Sequence, residues 1–284
     1  MDGVIVVDKP PGVTSHDVVD VVRKKLGTRK VGHAGTLDPG ATGILLLGVG
    51  RATRFLAYAQ GAPKRYVAGA RFGVSTTTQD ASGEVVESRD PVFTERDLTD
   101  AMAALTGTIE QVPPMVSAVK VGGERLYEKA RRGEDIVRAS RTVTVYELTL
   151  LDFDSAGARA TLEVLCSGGT YVRTLIHDLG RALGCGAHMT SLRRVAAAGF
   201  TEPDALPLEA VGPESLRPLS DAVRELARLD VDAGTARLVS FGRDIEIPSP
   251  AGEGEPVAVL SDGRLIAVYR GAGGRLRPDR VVPS

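Results

Sequence analysis

Apolar and polar residues change rhythm several times along this chain, and each change marks an element. Val4 to Val7 is an unbroken apolar run, too short for a helix, and predicts a buried strand. Val18, Val19, Val22 and Leu26 then recur at helical spacing, with Ser15 suited to the N-cap and Gly27 to the stop. A Gly-rich loop over 32–43 follows. Ile44–Leu47 predicts a strand, Arg51–Ala59 a short helix, and the alternation of Tyr66–Phe72 another strand. Thr94 with Asp97 resembles a capping box that opens a helix to about Leu105, with Gly107 after it.

Residues 120–141 are polar, basic and punctuated by glycine, with one helical turn near Leu126–Arg131; they predict a long surface excursion. Strands are expected at 142–153 and 159–165. A helix over 170–183 would bury Val172, Leu175, Ile176, Leu179 and Leu183. Residues 202–218, rich in proline and acid, would wrap the surface, and Ser220–Leu226 reads as a short helix. From residue 229 the texture changes. The runs Ile245–Ile247, Val257–Leu260 and Leu265–Tyr269 alternate with Gly and Pro turns, as in a small β-barrel. No internal repeat or low-complexity tract interrupts this order.

Composition removes whole classes. With 284 residues, 43% apolar and a net charge of -1, the chain has ample core-forming material and is not a disordered protein. The apolar run Ile44–Leu47 ends at Gly48, far short of the roughly 20 residues of a membrane span. The opening MDGVIVVDKPPG has neither a basic start nor a long apolar stretch, so no secretory signal is read. Two cysteines, Cys166 and Cys185, make no disulfide framework or zinc pattern. A cytoplasmic setting fits.

Charge matters through its distribution. Residues 20–65 hold nine Lys/Arg against two Asp (+7), 120–142 seven basic against four acidic (+3), and 171–194 four against one (+3). Residues 66–119 (three against eight, -5) and 195–227 (two against six, -4) restore the balance. Such segregation suits a basic face for a phosphate backbone; solvated helix faces explain it equally well.

The most unusual stretch is Gly32-His33-Ala34-Gly35-Thr36-Leu37-Asp38-Pro39-Gly40-Ala41-Thr42-Gly43, where glycines surround one carboxylate. Pro39 biases Asp38 toward extended backbone, and a rigid loop presenting one Asp suits a nucleophile or a general acid/base. A phosphate-cradling loop would need a Lys that is missing here. A metal site would need a third ligand beside His33 and Asp38. A structural turn capped by Asp38 is the plain alternative.

This stretch closely resembles the catalytic motif of bacterial tRNA pseudouridine-55 synthases of the TruB type. Further motifs of that family follow in order. Val7-Asp8-Lys9-Pro10-Pro11-Gly12-Val13-Thr14-Ser15 resembles its Lys-Pro segment and Lys64-Arg65-Tyr66 its tyrosine motif. Pro114–Lys120 with Arg125–Arg131 resembles its RNA-gripping thumb, about 120–141. Ser167–Leu175 and Gly184–His188 through Arg194 resemble its later motifs. Residues 229–284 resemble its PUA-like tail more weakly. Gly40 departs from the bulkier residue many relatives carry.

The resemblance implies an α+β fold: a catalytic domain at 1–228 with a mixed, mostly antiparallel central sheet, and a PUA-like β-barrel at 229–284. It implies isomerisation of one T-loop uridine of tRNA, flipped out of its stack, to pseudouridine. No cofactor or metal is implied, nor any membrane or obligate protein partner, and a monomer suffices. Asp38 would be the nucleophile or charge stabiliser, and Arg173 would pair with it. Tyr66 would stack on the base and move a proton. Tyr171 and Leu192 would line the uracil pocket, and His33 would stack near the flipped nucleotide. Lys9 belongs to the RNA-binding set, with Lys64, Lys120, Lys129, Arg131, Arg132, Arg141 and Arg193 as phosphate contacts. Rival readings are an RNA-folding assistant, a synthase for another RNA, and an unrelated Asp-dependent hydrolase that lacks a partner carboxylate.

Overall fold

β1 (Gly3–Lys9) extends the predicted run at both ends. Its apolar residues are continuous because both faces are covered: Val4 and Val6 enter one core cluster, Ile5 and Val7 another. The computed structural model describes residues 1–114, 120–121, 124–125 and 138–283. The elements that follow are α1 (Ser15–Leu26), β2 (Val31–His33), β3 (Thr42–Val49) and, after a 3₁₀ turn over Gly50–Arg54, α2 (Leu56–Gly61). The single helix expected over Arg51–Ala59 is thus broken at Phe55. Next come β4 (Lys64–Phe72), β5 (Val74–Thr76), β6 (Val85–Ser88), α3 (Glu95–Ala104) and β7 (Gly107–Gln111). The short strands β8 (Lys120–Val121) and β9 (Glu124–Arg125) pair with each other. Then follow β10 (Arg141–Asp154), β11 (Arg159–Cys166), α4 (Val172–Ala182) and β12 (Ala187–Ala197). Next come β13 (Phe200–Thr201), β14 (Leu206–Pro207) and β15 (Ala227–Asp230). The chain ends with α5 (Ala233–Ser240), β16 (Pro256–Ser261), β17 (Arg264–Ala272) and β18 (Arg275–Val281).

The chain divides into two compact units. The first comprises residues 1–39, 43–62 and 196–284. In it β3 pairs antiparallel with β1 and with β2, and β14 joins β1 in parallel. One face is covered by α1 through Val18, Val19, Val22 and Leu26. The other packs Ile44 and Leu46 with Phe55 and Leu56, and with Ala258, Leu260 and Val268 of the tail. The tail is a four-stranded sheet in the order β15-β16-β17-β18. Its alternate residues Val257, Val259, Ala267 and Tyr269 turn into a core of their own.

The second unit comprises residues 40–42 and 63–195, with strands in the order β12-β4-β11-β10-β7. The pairs β4–β11, β11–β10 and β10–β7 are all antiparallel. Lys64, Tyr66, Ala68, Ala70 and Phe72 alternate onto the buried face of β4, as Leu162, Val164 and Cys166 do on β11. The fold is therefore the α+β, mostly antiparallel architecture expected.

The helix boundaries show where local chemistry was misread. The N-cap of α1 is Thr14, not Ser15: Thr14 and Asp17 form a reciprocal capping box. Ser15 is buried one position later, with its hydroxyl engaged elsewhere. The Thr94–Asp97 box opens α3 as read, and Gly27 closes α1 at φ 61°. No helix among the described residues is long and apolar enough to cross a membrane.

Candidate active site

The carboxylate loop joins β2 to β3, and its backbone is held on both sides of Asp38. Before it, the Ser15 hydroxyl donates to Leu37 O (3.2 Å) and accepts from Leu37 N–H (2.8 Å). After it, Pro39 O accepts from Gly12 N–H (2.9 Å) and from the Lys9 ammonium (3.2 Å). Lys9 also donates to Pro10 O (2.8 Å) and Val13 O (2.7 Å). Ala34, Leu37 and Ala41 are buried. Gly35 (φ 106°) and Gly43 (φ 97°) make turns that an L side chain would strain. A Cβ at Gly40 would meet nothing within 4 Å, so a bulkier residue would fit there. Asp38 itself is half-buried, as is His33 at the end of β2, opposite Leu47.

Burial corrects one assignment outright. Lys9 is 0% exposed and gives its protons to three carbonyls, so it fastens the loop and does not face a phosphate.

The second unit gathers the other candidates. Tyr66 lies on β4 opposite Val164, only 7% exposed. Lys64, two residues earlier on the same face, is 5% exposed. Burial, with the Arg194 cation beside it, pushes its ammonium down to about 8. Lys64 is thus a buried cation on β4. Arg193 is half-buried and donates to Thr42 Oγ1 at 3.4 Å, and Leu192 is half-buried. Lys120 (apart from its backbone in β8), Lys129, Arg131 and Arg132 lie outside the described residues.

Tyr171 is the N-cap of α4. The Arg141 guanidinium lies 4.3 Å from its ring centroid and that of Arg173 5.8 Å. Arg173 is buried and pairs with Asp80 at 3.4 Å between Nη1 and Oδ2. Asp80 was not legible as a candidate. Its Oδ1 accepts from the Thr78 hydroxyl (2.6 Å), the Ser82 hydroxyl (2.6 Å) and Ser82 N–H (3.0 Å), which leaves Oδ2 turned to Arg173. The Thr78-x-Asp80-x-Ser82 spacing, typical of side chains that close their own turn, was the available signal.

Burial alone would raise the Asp80 carboxyl, but the Ser82 and Thr78 hydrogen bonds and the Arg173 charge outweigh it and hold it below the usual range. A carboxyl depressed in the folded state adds stability above its unfolded pKa of about 3.9, and that stability is lost as pH falls through the lower folded value. Asp80→Asn should therefore lower the melting temperature at pH 7, and the gap from wild type should close on acidification below about pH 4. Parallel melting curves at every pH would refute the assignment.

The mixed, mostly antiparallel α+β frame is that of the pseudouridine synthase class. Residues 23–172 match the TruB family pseudouridylate synthase N-terminal domain. Residues 173–229 match the tRNA pseudouridylate synthase B C-terminal domain, and 226–283 the tRNA pseudouridine synthase II C-terminal domain. The chain is 45% identical to tRNA pseudouridine synthase B of Arthrobacter sp. (strain FB24), over 98% of this chain and 95% of that one. It is 46% identical to the protein of the same name from Thermobifida fusca (strain YX), over 98% and 97%. Among solved structures it resembles a chain in the crystal structure of a Cbf5-Nop10-Gar1 complex, with TM-score 0.78 and 28% identity over 99% of this chain and 85% of that one. The chain belongs to the TruB family of pseudouridylate synthases and is an isomerase.

Proposed function

We propose that this protein converts uridine 55 in the T loop of tRNA to pseudouridine, with Asp38 as the reacting carboxylate and no cofactor. The observation that carries this reading is the loop around Asp38: Ser15 and Lys9, from two different segments, fasten the backbone on either side of one half-buried acid. The substrate is supported by the names of the relatives, which are tRNA pseudouridine synthases.

The chemistry asks for what these residues offer. The uridine leaves its stack, the bond between C1′ and N1 breaks, the uracil turns, and C5 bonds to C1′ while the C5 hydrogen leaves to solvent as a proton and N1 takes one up. Atoms balance without oxidant or phosphoryl donor. Asp38 attacks C1′ or stabilises its positive charge. Arg173 supplies a fixed cation, Tyr66 stacks on the base and moves a proton, and Tyr171 and Leu192 line the base pocket. His33 stacks near the flipped nucleotide. The T-arm stem-loop is gripped by Lys120, Lys129, Arg131, Arg132 and Arg193, with the thumb at about 120–141. Residues 1–228 act as the catalytic domain and 229–284 as a PUA-like domain, in a cytoplasmic monomer that needs no protein partner.

The test is tritium release from tRNA transcripts carrying 5-tritiated uridine, compared with transcripts in which uridine 55 is replaced. Release equal to one uridine per tRNA, lost on that replacement, is expected. Release that survives the replacement would move the target elsewhere. Tight binding without release would favour an RNA-folding role.

Removing the charges of Arg131 and Arg132 should weaken tRNA binding and flatten its dependence on salt, because each phosphate contact releases counterions. An unchanged salt slope would take both residues off the phosphate list.

A further inference from the structure

Gln111 and Arg141 face each other across the last rung of the β7–β10 ladder. Directly opposed residues of an antiparallel pair project to the same side. Here both reach Tyr171. Gln111 is 0% exposed, and its amide behaves like an added piece of backbone. Nε2 donates to Tyr171 O (3.1 Å), and Oε1 accepts from Tyr171 N–H (3.0 Å). Arg141 donates from Nη2 to Gly169 O and lays its guanidinium over the Tyr171 ring at 4.3 Å. One side chain thus fixes the backbone of Tyr171 and the other covers its ring.

This arrangement is more than packing. Tyr171 is the N-cap of α4 and has no side-chain cap of its own. Its carbonyl already accepts the first helical bond, from Leu175 N–H at 3.1 Å. A half-buried residue in extended backbone (φ -96°, ψ 106°) needs partners for its N–H and for the second lone pair of its carbonyl. Gln111 supplies both. Without it, the start of α4 would lose the groups that set the direction of Tyr171.

The geometry points to Gln111 and Arg141 as positioning residues for Tyr171 in the pseudouridine synthase reaction, which rests on the role assigned to Tyr171 in the proposed function. Arg141 is thereby assigned to the tyrosine rather than to an RNA phosphate. A shift of about 1 Å in a positioning group can cost a hundredfold in rate with little change in binding.

A double-mutant cycle on the full-length protein tests this, with single-turnover tritium release, tRNA affinity and melting temperature all measured. Gln111→Met keeps the volume and removes both hydrogen bonds; it should slow single turnover roughly ten- to hundredfold and leave affinity within about threefold. In a Tyr171→Ala background the same change should slow it less than about twofold, because the ring whose direction this backbone anchor sets is gone. Arg141→Met should behave alike and leave the salt slope of binding unchanged. Arg141→Lys should not rescue it, since an ammonium keeps the charge and loses the flat face. Losses that multiply independently of Tyr171, or an unchanged rate in both single variants, would overturn the inference while wild-type release still upholds the reaction. Absence of wild-type release would overturn both. If Gln111→Met does not fold, the Arg141 cycle alone decides, because that side chain is half-exposed.

Discussion

Asp38→Asn should abolish pseudouridine formation and leave tRNA binding within about tenfold. The amide is nearly the same shape as the carboxylate. The anchors of the loop act on its neighbours, Ser15 on Leu37 and Lys9 with Gly12 on Pro39, so the backbone survives the change. What disappears is a negative charge that attacks or stabilises C1′, and nothing in an amide replaces it. A group used only in the transition state lowers turnover without a matching loss of affinity. Tritium release and filter binding, run on the same preparation, check both halves. Binding that falls as far as turnover would make Asp38 a structural residue of the loop.

Lys9→Met should reduce turnover about a hundredfold without touching the salt dependence of tRNA binding. Methionine fills the space but donates nothing. Three carbonyls, of Pro10, Val13 and Pro39, then lose a charged donor in a buried place. An unsatisfied buried acceptor costs about 1–3 kcal/mol, so a stability loss of about 3 kcal/mol or more and a clear fall in melting temperature should accompany the rate effect. The salt slope separates the two possible jobs of this lysine. A slope reduced by about one, with turnover intact, would return Lys9 to the RNA surface.

The elements that could be read in advance are those in which local pattern and burial agree. The helix over Ser15–Leu26 and the strands at 3–9, 42–49, 64–72, 141–154 and 159–166 each carry their signal within themselves. The strand Ala187–Ala197 was not legible, because its pattern is broken by a buried charge: Arg194 is 1% exposed. The strand Arg275–Val281 was missed because it contains Pro278, which a strand tolerates only at an edge or a bulge. It is both the edge of its sheet and the site of a register shift. The helix Ala233–Ser240 was hidden in a tail read as all β, although Asp232 caps it through Thr235 N–H at 2.7 Å.

The sequence by itself determined single elements and the loop that carries Asp38, because glycine spacing, turn chemistry and apolar rhythm are properties of neighbouring residues; the fold class came only with the resemblance of its ordered motifs to a known family. Only the tertiary structure assigned Lys9 and Lys64 to the interior, turned Ser15 from a helix cap into a loop clasp, and set Asp80 against Arg173 and Gln111 against Tyr171. Those partners stand 22 residues apart for Ser15 and Leu37, 93 for Asp80 and Arg173, and 60 for Gln111 and Tyr171. A hydrogen bond depends on distance in space and on burial, and neither is written in the order of residues along the chain.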